Sequence, residues 1–462
     1  MYDKIKTINE RKVSIMGREI ELEKLINDFD KFSYYLDGKL ERDIEENRKG
    51  QFVIELKNGE GEELKDAVVK VKQISHEFKF GGTLFYLDQF SDEERRIKYA
   101  DSFKELFNYA VAPLYWDTLE PEEGKPRFGK DSVFVDRRPP LDVIAEFCRE
   151  NNIRLKGHCL MYNSFQPDWI SEDNRELKMQ IDRRAKAIAE RYGDLIEDMD
   201  VVNEMLTIYK NCYKGNGCRN LQITDDDDYE SWSFETTKKY FPYAKKFWIE
   251  GMDETFGTSY RGKRSFYYMM LEKLLREGVE VDGIGMQYHA FFEYEGMKDI
   301  VNPLRLLDVF DCYGKFGLPI QVSEVSIPSY SNEKYAEELQ GELTKRLYKL
   351  WFGRKNCEGI VWWNLADGTA YQDENKFHAG LIDNNCNKKP AYRELKKLIN
   401  SEWRTEFETK ASGEVRFSGF YGDYEVTVTA DGKQSTQVMK LRKENTGFDN
   451  RLCDFRSKQI TL

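Results

Sequence analysis

The sequence predicts an α/β protein: a closed (β/α)₈ barrel of the TIM type, extended by a helix and a β-hairpin at the N-terminus and by a small antiparallel β domain at the C-terminus. Three observations predict this fold. Eight short apolar segments start 30 to 47 residues apart. Amphipathic segments with apolar residues at helical spacing lie between them. The Gly-rich phosphate-binding fingerprint typical of the competing open, doubly wound sheet is absent.

The eight apolar segments are short and nearly continuous, as expected for parallel strands that are buried on both faces. Eight strands close a barrel of this type, which takes about 250 residues, so a chain of 462 residues has room for further parts. The predicted strands are residues 78–84, 108–114, 153–160, 198–205, 245–251, 283–289, 319–325 and 359–366. The clearest predicted helices are residues 91–107, 141–150, 176–192, 266–278 and 333–352.

The two ends of the chain have a different character from the predicted barrel, residues 78–402. Residues 1–77 contain a charge-rich amphipathic segment near 21–32 and then two β-branched runs on either side of a Gly-Glu-Gly turn, which predict a helix and a β-hairpin. Residues 403–462 alternate in polarity and contain an Asp-Gly turn, which predicts a small antiparallel β domain. Four aromatic residues of this domain suit either core packing or carbohydrate binding: Phe417, Phe420, Tyr421 and Tyr424.

Composition and charge limit the classes of partner. The net charge is −12, which argues against a nucleic-acid partner because such proteins carry clustered Lys and Arg. The sequence contains no run of eighteen apolar residues, so no membrane-spanning segment is predicted. The first residues lack an apolar leader, which predicts a cytoplasmic protein for the sequence as it stands, or a secreted one if a leader was removed. The sequence gives no indication of the oligomeric state.

The eight Cys residues show neither a Cys-x-x-Cys pair nor Cys/His ligand spacing, so no metal or other cofactor is predicted. Free thiols are the simplest interpretation. Cys212 and Cys218 are close enough in sequence to bridge a loop. The four consecutive Asp residues at 225–228 are expected to form a solvated loop, with a calcium site as the alternative.

Polar residues are concentrated at the carboxyl ends of the predicted strands, where barrel enzymes place their reacting groups. Two carboxylates stand out, Glu204 on strand four and Glu324 on strand seven. Hydrolysis of a sugar acetal needs a proton for the leaving oxygen and a nucleophile or negative charge beneath the anomeric carbon. We therefore predict Glu204 and Glu324 as catalytic residues. The other polar or aromatic strand-end residues are His158, Asn203, Gln287, His289, Trp362, Trp363, Asn364 and Asp367.

The ordered motifs DVVNE, GIGMQYH, QVSEV, VWW and KKPAY resemble glycoside hydrolase family 10, the endo-1,4-β-xylanases. The resemblance covers about residues 78–402. It implies a retaining hydrolase in which Glu204 is the acid/base and Glu324 the nucleophile, acting on xylan or xylo-oligosaccharides. It also implies substrate-binding positions, which together with neighbouring aromatic and polar residues give His158, Asn203, Gln287, His289, Trp363, Trp116, Tyr162, Asn163 and Tyr371.

The chain departs from the pattern of this family around the sugar-binding subsites. Tyr115 precedes Trp116 where the family has a Lys that binds the glycone sugar, and strand five lacks an Asn-Asp-Tyr run. A Trp-His pair is replaced by Tyr162 and Asn163, an Asp by Ser326, and the last platform Trp by a residue near Tyr371. We expect retained chemistry with altered glycone recognition. The alternatives are a β-glucan hydrolase and a carbohydrate-binding barrel with little turnover; metal-dependent hydrolysis has no ligand spacing to support it.

Overall fold

The structure, a computed structural model, describes residues 13–15, 18–20, 26–206, 229–291, 300–443 and 458–461. Contacts within the chain divide it into two compact units. The barrel unit comprises residues 1–33, 80–351 and 356–394. The β unit comprises residues 34–79, 352–355 and 395–462.

The strands are numbered in chain order. They are β1 (Val13–Ile15), β2 (Arg18–Ile20), β3 (Lys49–Lys57), β4 (Ala67–His76), β5 (Lys79–Thr83), β6 (Tyr109–Pro113), β7 (Arg154–Tyr162), β8 (Ile196–Asn203), β9 (Lys245–Glu250), β10 (Gly283–His289), β11 (Ile320–Ser326), β12 (Cys357–Trp362), β13 (Glu406–Ala411), β14 (Glu414–Phe420), β15 (Gly422–Ala430), β16 (Lys433–Leu441) and β17 (Lys458–Thr461). The first two form a short antiparallel pair.

The helices alternate with the barrel strands. They are α1 (Asn27–Lys31), α2 (Ser33–Arg48), α3 (Glu93–Leu106), α4 (Trp116–Leu119), α5 (Leu141–Glu150), α6 (Asn174–Tyr192), α7 (Tyr229–Tyr240), α8 (Met252–Thr255), α9 (Phe266–Arg276), α10 (Pro303–Tyr313), α11 (Lys334–Gly353) and α12 (Pro390–Lys397). Capping side chains fix several of the starts. Asp92, Asp173 and Asn302 each accept a hydrogen bond from a backbone N–H in the first turn of the following helix.

Strands β5 to β12 close into a barrel of parallel strands. In β5, β6 and β11 every residue is buried, as expected for parallel strands that are covered on both faces. β6 is apolar throughout, whereas β11 also carries polar residues, Glu324 among them. The predicted fold class is therefore confirmed. Seven predicted strands match within about two residues at each end, and the eighth, predicted at 359–366, is observed at Cys357–Trp362.

Two glycines allow β9 and β10 to lie side by side with large residues between them. A Cβ atom at Gly283 would lie 2.1 Å from the ring of Phe247, and one at Gly285 would lie 2.4 Å from the side chain of Ile249. Both distances are shorter than carbon atoms can approach. Any larger residue at Gly283 or Gly285 would push the two strands apart next to the strand end that carries Gln287.

The β unit contains two sheets that combine strands from both ends of the chain. One sheet has the order β13-β4-β15-β16, and the other has the order β14-β3-β17. The β3 and β4 segments, predicted to form a hairpin, therefore pair not with each other but with C-terminal strands, because their apolar faces are covered by residues far along the sequence. The predicted division into an N-terminal extension and a C-terminal domain differs from the single unit observed.

The C-terminal strands of this unit follow their predicted chemistry. Asp431 and Gly432 have φ angles of +50° and +74° and connect the antiparallel strands β15 and β16, as expected for an Asp-Gly hairpin turn. Phe417 and Tyr424 belong to an aromatic cluster with Phe52. These rings are part of the hydrophobic core of the β unit. Of the two roles considered for them, core packing and carbohydrate binding, the structure shows core packing.

Two further predictions concern residues near the termini and the loops. The predicted helix near 21–32 lies partly outside the described residues, and the observed helices α1 and α2 begin at Asn27 and Ser33. Cys212, Cys218 and the run at 225–228 lie outside the described residues. Of the Cys residues that the structure describes, Cys148, Cys159, Cys312, Cys357 and Cys386 are buried and form no disulfide bond. Among the described helices, none combines the length and apolar composition needed to cross a membrane.

Candidate active site

At the carboxyl ends of β8, β10 and β11, the side-chain amide of Gln287 donates hydrogen bonds to both predicted catalytic carboxylates. The Nε2 atom of Gln287 donates to Glu204 Oε1 at 2.7 Å and to Glu324 Oε1 at 3.0 Å. A third acceptor, Asn203 Oδ1, lies at 3.4 Å. An amide nitrogen carries two hydrogens, so both are used by the two carboxylates.

The shared donor limits the separation of Glu204 and Glu324. Their Oε1 atoms are at most about 5.7 Å apart, because they lie 2.7 Å and 3.0 Å from the same nitrogen. Retaining glycosidases hold their carboxyl groups about 5–5.5 Å apart, whereas inverting enzymes need about 6.5–9.5 Å to admit a water molecule. The spacing of the pair fits a nucleophile and a proton donor on either side of one bond.

Glu204 is held in an uncommon backbone conformation just after β8. Its φ angle is +52°, in the left-handed region that residues other than glycine seldom adopt. Residues in this strained conformation are often found at functional sites. Its N–H donates to the carbonyl of Ile249 at 2.9 Å. Its second oxygen, Oε2, accepts from the hydroxyl of Tyr162 at 2.6 Å. Tyr162, predicted as a substrate-binding residue, therefore contacts the carboxylate itself.

Glu324 is almost completely enclosed, with 2% of its surface exposed. Burial raises the pKa of Glu324 to about 8; His158 and Lys156 oppose this shift, and the negative charge of Glu204 adds to it. Near neutral pH the pair therefore retains a proton. This is the state that acid/base and nucleophilic roles require together.

His289 links Glu324 to Ser326. Its Nε2 lies 3.0 Å from Glu324 Oε2, and its Nδ1 lies 3.0 Å from the hydroxyl of Ser326. Burial lowers the pKa of His289, although Glu374 and Glu204 oppose that shift. A neutral imidazole carries one N–H, so it donates from Nε2 to the carboxylate while Nδ1 accepts from Ser326. The Ser at this position thus supports an uncharged His289.

Replacing Ser326 by Asp is expected to shift the pH dependence of activity. An ionised Asp accepts hydrogen bonds only, so it favours a second proton on His289. The resulting imidazolium stabilises ionised Glu324 and lowers its pKa. The acidic limb of the kcat/KM profile should move down by about one pH unit, measured on an aryl β-xylobioside. Ser326→Ala is the matched control and should not move the limb downward; an unchanged limb in Ser326→Asp contradicts this account.

His158 is fixed from one side and has a free ring nitrogen on the other. Its Nδ1 lies 2.9 Å from Asp200 Oδ2, and Lys156 Nζ lies 2.6 Å from the other oxygen of Asp200. Within the described part of the chain, His158 Nε2 is buried and has no hydrogen-bond partner. Buried polar atoms are normally satisfied, so this atom is suited to a ligand hydroxyl.

An aromatic wall lies beside these polar groups. The ring of Trp363 meets His158 edge-on at 5.0 Å and His289 at 5.8 Å between centroids. The same cluster includes Tyr115, which occupies the position of the missing Lys. Flat aromatic faces suit the apolar faces of sugar rings. Trp363 and His158 therefore lie next to each other, and their roles in binding stay predictions.

Three predicted binding residues have other surroundings. Trp116 is buried; its indole donates to Glu120 at 3.0 Å and its ring meets Trp169 at 5.5 Å. Asn163 is buried, and its amide oxygen has no hydrogen-bond partner among the residues that the structure describes. Tyr371 packs on Phe165 and lines a separate large cavity. The binding roles of these three remain predictions.

Glu250, at the end of β9, is a buried acid that sequence reasoning missed. Its Oε1 accepts from Leu206 N at 3.1 Å and from Trp248 Nε1 at 2.8 Å, while Oε2 has no partner in the described part of the chain. Burial raises the pKa of Glu250 to about 8, since these donors offset only part of the desolvation. Leu206 follows Glu204 by two residues, so Glu250 holds the segment that carries the carboxylate.

Replacing Glu250 by Gln is expected to stabilise the protein at alkaline pH. A carboxyl whose folded pKa is raised from 4.5 to about 8 stabilises the fold fully below pH 4.5, and this contribution is lost as pH rises through 8. Glu250→Gln removes that loss, so the Tm should exceed that of the wild type by about 2–5 °C at pH 8.5 and match it at pH 4.5.

The control for this prediction is Glu94→Gln, because Glu94 is exposed and pairs with Lys98 on a surface helix. Its Tm should follow that of the wild type at both pH values. A Glu250→Gln variant whose Tm difference from the wild type is the same at both pH values would contradict the account.

Sequence reasoning also missed two arginines, Arg137 and Arg138, that line the large cavity with Tyr371. They lie in the loop after β6, where neither helical nor strand periodicity assigns an orientation to a side chain. The only signal is the Arg-Arg-Pro-Pro sequence itself. Among the described residues, no group of three or more His, Cys, Asp or Glu side chains is arranged to hold a metal ion.

Comparisons with known proteins agree with this architecture. The family model "Glycosyl hydrolase family 10" matches residues 72–398. The anti-sigma-I factor RsgI6 of Acetivibrio thermocellus is 27% identical over 407 residues, which are 86% of this chain and 47% of that protein. The endo-1,4-β-xylanase A of Halalkalibacterium halodurans is 27% identical over 336 residues, 63% of this chain and 78% of that protein.

The solved structure of xylanase 10B from Thermotoga petrophila with xylobiose is similar in fold, with a TM-score of 0.54 and 24% identity over 71% of this chain and 95% of that one. The chain spans about half the length of RsgI6, and a third of the endo-1,4-β-xylanase 2 of Arabidopsis thaliana. The family model covers more than two thirds of this chain, in the region of the barrel. The chain belongs to glycosyl hydrolase family 10, as a divergent member.

Proposed function

We propose that this protein is a retaining endo-1,4-β-xylanase that hydrolyses xylan or xylo-oligosaccharides by double displacement. The observation that carries the proposal is the shared amide of Gln287, which keeps Glu204 and Glu324 within the spacing of a retaining pair. Membership of family 10 and the similarity to a protein named endo-1,4-β-xylanase support the substrate class.

In the first step Glu324 attacks the anomeric carbon while Glu204 protonates the leaving glycosidic oxygen. The bond to the aglycone breaks, and an ester bond to Glu324 forms. His289 and Gln287 both contact Glu324, and their N–H groups offset the cost of its charge in a buried site. Tyr162 and Gln287 keep Glu204 directed into the same space.

In the second step Glu204, now ionised, removes a proton from water as the water oxygen attacks the anomeric carbon. The ester bond to Glu324 breaks, and the proton returned to Glu204 restores the starting state. Each step inverts the carbon, so the product retains the β configuration. The binding roles that we propose for His158, Asn203 and Trp363 are hydrogen bonding to sugar hydroxyls and stacking.

The test is product analysis by mass spectrometry on xylohexaose, combined with proton NMR of the first anomer formed. We expect shorter xylo-oligosaccharides from internal cleavage and an initial β anomer. An initial α anomer would overturn the retaining mechanism. Activity confined to carboxymethyl-cellulose or mixed-linkage glucan would overturn the substrate and favour the β-glucan alternative.

A second candidate is a carbohydrate-binding barrel with little turnover. It is favoured by the 27% identity to RsgI6, whose name denotes an anti-sigma factor, over 86% of this chain. The altered positions Tyr115, Asn163 and Ser326 point the same way. Binding of xylohexaose without release of products over prolonged incubation would support this candidate and overturn the enzyme.

A further inference from the structure

A second polar region of the barrel unit lies outside the carboxylate pair. It is a cavity of about 1040 Å³, lined by residues of the loops that follow β6, β7 and β12. All three loops leave the carboxyl ends of barrel strands, the same end that carries Glu204 and Glu324. The cavity is as large as those that accommodate small organic ligands. Its lining includes Arg137, Arg138, Phe165 and Tyr371, and also three carboxylates, Asp117, Asp136 and Asp168.

The two adjacent arginines are enclosed although they line this space. Arg137 is 6% exposed and Arg138 is 7% exposed. Arg137 donates to Asn364 Oδ1 at 3.1 Å, and Arg138 donates to the carbonyl of Arg137 at 3.0 Å. The Nε atoms of both are buried and have no hydrogen-bond partner in the part of the chain that the structure describes. Buried guanidinium groups without acceptors are costly.

Neither guanidinium forms an ion pair with a described carboxylate. Asp117, Asp136 and Glu374 act on the pair electrostatically, but none is paired with either arginine. Asp136 is exposed, so water screens its charge. Burial and the neighbouring Arg138 lower the pKa of Arg137 to about 10, which leaves it charged at neutral pH. Both guanidinium groups are therefore enclosed without a salt bridge to the described carboxylates, although Asp117 and Asp136 also line the cavity.

The arginines lie close to the carboxylate pair through a short series of contacts. The guanidinium of Arg138 stacks over the ring of Tyr115 at 4.2 Å. Tyr115 also packs on Phe165, whose ring lies 5.9 Å from that of Tyr162. Tyr162 in turn donates to Glu204. A sugar at the carboxylates and a group in the cavity can therefore belong to one oligosaccharide.

Tyr115 occupies the position at which the family pattern has the glycone-binding Lys. The guanidinium of Arg138, from the same loop, lies over the ring of Tyr115 and so places a positive charge beside this position. Two guanidiniums differ from one lysine, because their planar donors match the two oxygens of a carboxylate. A neutral hydroxyl would not offset two buried charges.

We infer that the arginine cavity binds the carboxylate of a uronic acid residue carried by the oligosaccharide whose hydrolysis is proposed above. The inference rests on that proposed function for its substrate but on separate residues for its contacts. The carboxylate oxygens accept hydrogen bonds from Arg137 and Arg138, and Phe165 and Tyr371 offer apolar faces to the sugar ring. Substrates bearing the acidic sugar on the glycone side are then preferred over neutral ones.

The experiment compares two ligands that differ only in charge: a glucuronosyl-substituted xylo-oligosaccharide and the same compound with its carboxyl group reduced to a primary alcohol. Affinity is measured by calorimetry with the Glu324→Ala variant, and kcat/KM with the wild type. We expect the acidic compound to be preferred by about 10–100-fold in both measurements. This preference should decrease in 0.5 M salt. Equal values for the two compounds would overturn the inference.

Variants assign the preference to the two arginines. Arg137→Gln and Arg138→Gln should each reduce the ratio of the affinities for the acidic and the reduced compound about tenfold or more, and Arg138→Lys should restore part of this ratio. Arg96→Gln is the control, because Arg96 pairs with Asp88 outside the cavity. A preference that survives both Gln substitutions would overturn the assignment. The ligand comparison in the wild type needs no variant, so a misfolded Gln variant leaves the test intact.

The two proposals fail in different ways. If the protein hydrolyses neutral xylohexaose but binds the acidic and reduced compounds with equal affinity, the arginine site is overturned and the proposed hydrolase activity stands. If the acidic compound binds more tightly than the reduced one but the wild type hydrolyses neither compound nor xylohexaose, the hydrolase activity is overturned and the arginine site stands.

Discussion

Glu324→Ala should reduce kcat on xylo-oligosaccharides by on the order of 10⁴-fold or more, since the residue that forms the covalent bond is then missing. The loss should persist on substrates with excellent leaving groups, because protonation of the leaving group does not replace the nucleophile. Added azide is expected to restore part of the activity with a dinitrophenyl β-xylobioside. The azide then attacks directly, and the product is the α-glycosyl azide.

The azide rescue distinguishes a nucleophilic Glu324 from a Glu324 that only maintains the structure of the site. The variant must keep the Tm of the wild type within a few degrees, since Glu324 is enclosed and its loss can disturb packing. Retained activity, or a β-glycosyl azide as the rescue product, would contradict the role of Glu324.

Glu204→Ala should lose activity in a manner that depends on the leaving group. Hydrolysis of xylan needs a proton on the departing oxygen, so we expect a loss of about 10²–10⁴-fold. Formation of the covalent intermediate from a dinitrophenyl substrate needs no proton and should change little. Hydrolysis of that intermediate lacks its base, so a burst of dinitrophenol should precede a slow phase, and azide should accelerate the slow phase and give the β-glycosyl azide.

The two rescue products together assign the roles of the pair. An α product from Glu324→Ala and a β product from Glu204→Ala fit the proposal; the opposite combination would exchange the roles. This check is informative because the raised pKa of Glu324 by itself would suit a proton donor, the role that the proposal gives to Glu204. Tyr162→Phe is a suitable comparison, since it removes only the hydroxyl that donates to Glu204.

The barrel was predictable because each of its strands is buried on both faces. Local composition then carries the information: β6, for example, is enclosed along its whole length and apolar throughout. The β unit was predictable only in part. The alternation in β15 and the Asp-Gly turn are local, but pairing of β4 with β13 and β15 joins residues more than three hundred positions apart. No local pattern specifies such a partner.

The candidate site shows the same division. The barrel topology places Glu204, Gln287 and Glu324 at strand ends of the same side, so their proximity followed from the sequence. Arg137 and Arg138 lie in a loop, where orientation depends on tertiary contacts such as the stacking of Arg138 on Tyr115. Trp116 was predicted to bind substrate because it lies close in sequence to a strand end. Its indole instead bonds Glu120, within the short helix and loop that follow.

The mixed origin of the β unit affects the order in which the protein is made. Strands β3 and β4 leave the ribosome early, whereas β13 to β16, with which they pair, are translated after the entire barrel. Until then apolar residues such as Ile54 and Val69 lack the partners that bury them, and their strand edges are open to other nascent chains. Strands β3 and β4 are thus synthesised before the barrel but are buried only after β13 to β16 have been translated.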